Sequence, residues 1–180
     1  IDIAGLRSQA ESAERREDWE RALSLYRSAL ALDDGLSFAR DGARRTEDRA
    51  RLTRDIAALI GDPLSLSSDS VYSEASAVLE RAQAVPDRGP ELSRQIGELR
   101  RAMAASRMTL SVQLTSDNVT EIIVNQVGRL GRFDSRSLDL RPGNYTAVGS
   151  RKGYRDVRRS FTVRPGEETP IVDVRCEEKI

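Results

Sequence analysis

Near Arg107-Met108 the spacing of apolar residues changes from three or four positions to two. Upstream, Leu92, Ile96, Leu99 and Met103 recur at helical intervals; downstream, Leu110, Val112 and Leu114 alternate. The first period lines one side of a helix and the second one face of a strand. The chain is therefore expected to be α+β: an all-α, helical-hairpin domain over residues 1–107, then a small antiparallel β domain over 108–180. No Gly/Pro/Ser-rich linker separates the two, so a fixed domain orientation is expected rather than a tether.

The front half reads as a series of helices. Ala4, Leu6, Ala10 and Ala13 lead to a charged turn at Arg15-Arg16-Glu17-Asp18. Trp19, Ala22, Leu23, Tyr26, Ala29 and Leu30 follow at amphipathic spacing, stopped by Asp33-Asp34-Gly35. Small residues at Ala10, Ala22 and Ala29 would let these two helices approach closely, with Trp19 and Tyr26 filling the gap. Leu36 to Ile60 reads as one long helix with a stripe of Leu36, Ala39, Ala43, Ala50, Ile56 and Ile60, and Gly61 as its stop. Its charged middle, Arg44 to Arg54, is expected to be solvated, with Asp41–Arg45 and Glu47–Arg51 pairing at i, i+4. That small-residue stripe also raises the expectation of a homodimer. Ser70 and Glu74 offer caps for a helix carrying Val71, Ala75, Val78, Leu79 and Ala82, and Pro90 suits the first position of the last helix.

The rear half is built around Leu138 to Pro165. Arg141-Pro142-Gly143 and Arg164-Pro165-Gly166 repeat one turn signal, because Pro presets φ and Gly tolerates φ > 0. Between them lie Asn144 to Gly149, a Lys152-Gly153 reversal, and a strand with Val157, Phe161 and Val163 on one face; Arg159 interrupts that row. Ser116-Asp117-Asn118 should turn the chain into a strand over Glu121 to Val127. Gly128 and Gly131 should frame a turn before Arg136 to Leu140. A last strand should place Val172, Val174 and Cys176 on one side.

Composition narrows the function. Lysine plus arginine and aspartate plus glutamate number 29 each, so bulk charge recruits neither nucleic acid nor membrane. Histidine is absent, which removes the commonest general base and metal ligand. The single cysteine, Cys176, makes no intrachain disulfide and reads as core packing. Asp33-Asp34 and Glu167-Glu168 are adjacent within turns, without the apolar pocket that raises a carboxyl pKa. Scattered serines lack a base, and no metal-ligand spacing occurs. The expectation is a non-enzymatic chain with no cofactor and no metal site. No apolar run approaches the roughly 20 residues a spanning helix needs. The chain opens at Ile1 rather than methionine, so a membrane anchor elsewhere in a longer polypeptide is an open expectation.

Two resemblances rest on these residues. Residues 6–34 resemble a tetratricopeptide repeat: Ala22, Tyr26 and Ala29 stand where its second helix favours Ala, a large aromatic and Ala, after Asp18-Trp19. Leu6, Gln9, Ala10 and Ala13 stand where its first helix favours Trp, Leu, Gly and Tyr. That family's grooves bind peptides or proteins, so the resemblance implies a protein partner. Residues 108–180 resemble the PEGA domain, through Val124-Asn125-Gln126-Val127-Gly128 with Gly131, Leu140-Arg141-Pro142-Gly143-Asn144-Tyr145, and Lys152-Gly153-Tyr154. The tetrapeptide that names it is replaced by Asp117-Asn118-Val119-Thr120. This resemblance implies a small β-sandwich of the bacterial cell envelope, periplasmic or otherwise extracytoplasmic, often anchored elsewhere in its polypeptide.

The residues with most chemistry are Arg151, Lys152, Tyr154, Arg155, Arg158 and Arg159, with Arg164 beyond. Arginine forks suit phosphate or carboxylate, and a tyrosine among them could stack on a sugar. The plainer reading is a solvated strand face that protects an edge from pairing. Two functions follow: an envelope scaffold whose helical half docks a protein partner, or a cell-wall or anionic-polymer binder using the arginine face. Aromatics are too few for a nucleic-acid stacking platform.

Overall fold

The computed structural model describes residues 2–180. The fold is α+β, five helices followed by two sheets. The helices are α1 (Ile3–Arg15), α2 (Trp19–Leu32), α3 (Ser37–Gly61), α4 (Asp69–Gln83) and α5 (Pro90–Ser106), with a 3-10 turn at Ser65–Ser67. The strands are β1 (Leu110–Thr115), β2 (Glu121–Val124), β3 (Gly128–Gly131), β4 (Ser135–Leu140), β5 (Gly143–Ser150), β6 (Val157–Val163) and β7 (Ile171–Asp173). Two compact units result. One takes the chain up to Asp62 together with Ser73–Arg101; the other takes Pro63–Tyr72 and Ala102–Ile180. The end of α5 and the segment before α4 thus belong to the β-rich unit.

In the first unit, α1 and α2 form a hairpin and α3 packs along α2. Asp2 and Asp18 cap the first two helices, their carboxylates accepting the N–H of Gly5 and Arg21. The seam is built from small residues: Ala10, Ala13, Ala22, Ala29 and Ala39 are fully buried around Tyr26. Gly42 matters most in α3. A Cβ there would stand 2.4 Å from the Tyr26 ring, so the aromatic lies flat against bare backbone.

The α3 stripe differs from expectation. Ala39, Ala50 and Ile56 are buried, but Gly42, Thr46, Leu52 and Leu59 join them, while Leu36, Ala43 and Ile60 are only partly covered. The charged middle is not uniformly solvated: Thr46 is buried, its hydroxyl donating to the Gly42 carbonyl at 2.8 Å. The local pairs expected there are replaced by others. Arg45 reaches Glu14, Glu47 takes Arg27, and Asp41 pairs with Arg44. Glu14 of α1 and Arg27 of α2 win because packing already holds them opposite α3, whereas Asp41–Arg44 stays local at i, i+3. Trp19 is half-buried, and the Arg49 guanidinium of α3 lies 4.4 Å from its ring. α4 starts at Asp69, ahead of the expected Ser70.

In the second unit the sheets have strand orders β4-β1-β7 and β3-β2-β5-β6. Their inward residues meet in one apolar cluster: Val112, Leu114 and Leu140 from the first, Ile122, Val124, Ala147, Phe161 and Val163 from the second. Tyr145 stacks on Phe161 at 5.6 Å and donates its hydroxyl to the Arg141 carbonyl at 2.8 Å.

Three strand expectations are corrected. Gly128 and Gly131 do not frame a turn; they bound β3, and the reversal comes earlier, at Asn125-Gln126-Val127, with Gln126 at φ 68°. The second correction concerns pairing. β7 runs parallel to β1, because the Arg164-Pro165-Gly166 corner sends the chain across to the other sheet instead of back along β6. Finally, the last strand ends at Asp173. Val174 and Cys176 are buried as expected; the Val174 N–H still donates to the Thr115 carbonyl at 2.9 Å, but beyond it side chains take over, Ser116 donating to the Val174 carbonyl at 2.7 Å and Thr120 accepting the Cys176 N–H at 3.2 Å. Gly149 permits that close approach, since a Cβ there would lie 2.8 Å from Thr120 and 2.9 Å from Val174.

Candidate functional site

Glu20, Leu23, Ser24, Arg27, Ser28 and Ala31 fall on one face of α2 and line an open hollow of about 370 Å³. Leu23 forms its apolar base, being buried, while the serines and Arg27 stay exposed. Two ion pairs to α3 frame it, Glu20–Arg54 at 2.8 Å and Arg27–Glu47 at 3.0 Å. A shallow hollow with a buried leucine and a charged rim suits a protein surface better than a small substrate.

This face is stiffened from beneath. The buried Tyr26 hydroxyl donates to Glu14 at 2.5 Å, and Arg45 forks onto the same carboxylate at 2.8 and 3.2 Å. One carboxylate thus ties α1, α2 and α3 together. Burial, then the Glu14 hydrogen bond, pushes the Tyr26 phenol up to about 12.

A second carboxylate reaches further along the unit. Glu17, at φ 57°, accepts the N–H groups of Glu91 and Leu92 at 2.9 and 3.1 Å, so it satisfies the N-terminus of α5. Arg49 stands 3.8 Å from it, and one terminal nitrogen of that guanidinium is buried without a hydrogen bond. Burial pulls Arg49 below its ordinary pKa, with Glu17 opposing. Sequence reading placed Glu17 in a charged turn and Arg49 in a solvated run. The legible signal was Gly89-Pro90: a helix start without a capping side chain needs an acceptor from elsewhere.

The basic cluster is dispersed rather than presented as one face. Arg151 and Lys152, with Arg132, Glu121 and Asp156, line an open concavity of about 670 Å³. Arg151 lies 4.1 Å from the Tyr154 ring and 3.9 Å from Asp117. Burial raises the Asp117 carboxyl, but the amides and hydroxyl of Thr120 and Val119's amide outweigh it and hold that carboxyl below its usual range. Arg155 pairs with Glu178 at 3.4 Å, and its N–H donates to the same residue's carbonyl. Arg158 and Arg159 lie on β6, where Arg159 donates to the Asp173 carbonyl at 3.3 Å. Arg151 and Lys152 therefore share one concavity, with Tyr154 against Arg151, while Arg158 and Arg159, consecutive on β6, fall on opposite faces of that strand. Arg164 lines a different hollow.

Among the described residues no group of three or more Cys, Asp or Glu is placed to hold a metal ion, and no helix is long and apolar enough to cross a membrane. No protein-family model matches this chain, and no curated protein matches it.

Proposed function

We propose that this chain is a non-enzymatic scaffold of the cell envelope whose helical unit docks a protein partner, carried beside a PEGA-like β-sandwich. The observation that supports it is the α2 face: an apolar base at Leu23 inside a rim of ion pairs, on helices locked through Glu14. A docking surface gains affinity when it is already ordered before the partner arrives. The tetratricopeptide-like spacing of Ala22, Tyr26 and Ala29 agrees with that reading. A polymer-binding function for the arginine face is the second reading. It is favoured by Lys152 and Arg158, and weakened by the acidic partners of Arg151 and Arg155.

The test applies the full chain to peptidoglycan and to immobilised heparin. The scaffold reading expects flow-through on both at physiological salt. Retention abolished by Arg155→Glu with Arg158→Glu overturns it in favour of the polymer binder.

A further inference from the structure

The two Arg-Pro-Gly corners converge on one place. Pro142 and Pro165 line the same hollow, of about 250 Å³, whose other walls are Pro63, Leu64, Ala102 and Ala105. Every lining residue belongs to the second unit. Prolines have no N–H, and alanine and leucine side chains carry no polar atom, so these walls grip by contact alone. The hydroxyl of Ser106, also in the lining, is committed to the Met103 carbonyl at 2.7 Å. Charge enters only through Arg164 and Glu167, both exposed and so on the solvent side. Neither has a salt-bridge partner among the described residues, whereas Arg141 of the other corner stands 3.6 Å from Asp69.

The hollow falls below the roughly 300–1,000 Å³ usual for small-molecule sites. It has room for an aliphatic side chain, and the two charges of opposite sign stand at its rim, three residues apart in one turn whose Glu167 N–H donates to the Arg164 carbonyl. Its walls are fixed in advance: prolyl corners set φ, and Arg107 secures the neighbouring segment by pairing with Asp69 at 2.7 Å and lying 3.9 Å from the Tyr72 ring.

We infer that this hollow anchors a peptide of a partner protein through one leucine-sized side chain, with an acidic neighbour on Arg164 and a basic neighbour on Glu167. It is separate from the α2 face, so either can fail without the other.

The test follows the methyl signals of Leu64, Ala102 and Ala105 by NMR on the full chain while acetyl-Lys-Leu-Asp-amide is titrated. Saturable shifts at these methyls are expected. The neutral acetyl-Gln-Leu-Asn-amide should bind up to about thirtyfold more weakly, the gain of two exposed ion pairs at up to about fivefold each. Acetyl-Lys-Gly-Asp-amide should leave the methyls unmoved. Arg164→Gln, a surface change that leaves the core intact, should weaken the charged peptide by up to about fivefold, the loss of its aspartate's pair, with the lysine still on Glu167. Ala105→Leu should fill the space and abolish the shifts, its fold checked by unchanged Val112 and Leu114 methyls. Absent shifts with the leucine peptide, equal shifts with the glycine peptide, or indifference to Arg164→Gln would overturn the inference.

Discussion

The carboxylate of Glu17 accepts the backbone N–H of Leu92 at 3.1 Å, joining a turn between α1 and α2 to the start of α5. The same carboxylate takes the Glu91 N–H and faces Arg49. It does for α5 what a capping side chain would do locally, and a Cβ at Gly89 would collide with it, at 2.0 Å.

Glu17→Ala should therefore lower stability by about 2 kcal/mol, at the upper end of a lost cap, because two helix N–H groups and Arg49 lose their partner together. Arg49→Met should fall within about 1 kcal/mol of the parent, since it removes a guanidinium already short of one hydrogen bond. Urea midpoints of the two variants check the asymmetry. Equal losses would contradict it.

Gly42→Ala and Gly97→Ala should move stability in opposite directions. A Cβ at Gly42 meets the buried Tyr26 ring at 2.4 Å, and overpacking of this kind costs about 1–3 kcal/mol. At Gly97, inside α5, the nearest atom is Arg101 Nη1 at 3.9 Å. Alanine there should stabilise by about 0.5–1 kcal/mol through helix propensity alone. Thermal melts of both proteins decide the matter.

Tyr26 should ionise late in an alkaline titration. Its pKa rises from 10.0 to about 12 on folding, so the folded state favours the neutral phenol. That contribution is complete below pH 10 and is lost as pH climbs through 12. Absorbance at the phenolate band during alkaline titration should show a late step that vanishes in Tyr26→Phe. A step of unchanged size in that variant would assign the high pKa elsewhere.

Gly149→Val should be tolerated far less well than Gly153→Asn. The first drives a branched side chain into Thr120, Val174 and Val157, while Gly153 sits at φ 81° with open space around its α-carbon. Asparagine accepts that left-handed conformation better than other side chains. Expression and urea midpoints should separate the pair by about 2 kcal/mol or more. Comparable midpoints would mean that residues 174–176 do not pack on β5 as described.

Periodicity carried the helices and most strands because local spacing alone decides which face a residue occupies. The alanines at 10, 22 and 29 named the helix seam, and Pro90 marked the start of α5. What stayed illegible depends on choice of partner. Glu14 and Glu17 had arginines beside them in the sequence, yet they are used by residues 12 to 75 positions away, and Asp69 is used by Arg107, 38 positions on. The direction of β7 was hidden for a related reason: a prolyl–glycyl corner fixes a change of course, not the sheet that receives the next strand. The partner of Arg155 was hidden likewise, since it comes from the C-terminal residues, whose Glu178 returns to Arg155 and whose Ile180 N–H donates to the Gly153 carbonyl. The small-residue stripe behind the homodimer expectation is largely spent inside the unit, with Ala39, Ala50 and Ile56 fully buried.

The claim on which the functional reading turns is that the α2 face meets a protein. Photo-crosslinking in the native cell, with a benzophenone side chain at Ser28 in one strain and at Ser160 on β6 in another, compares the two exposed surfaces directly. The account predicts a discrete protein adduct from Ser28 that Leu23→Asp removes. Adducts confined to Ser160, or polysaccharide on both, would contradict it.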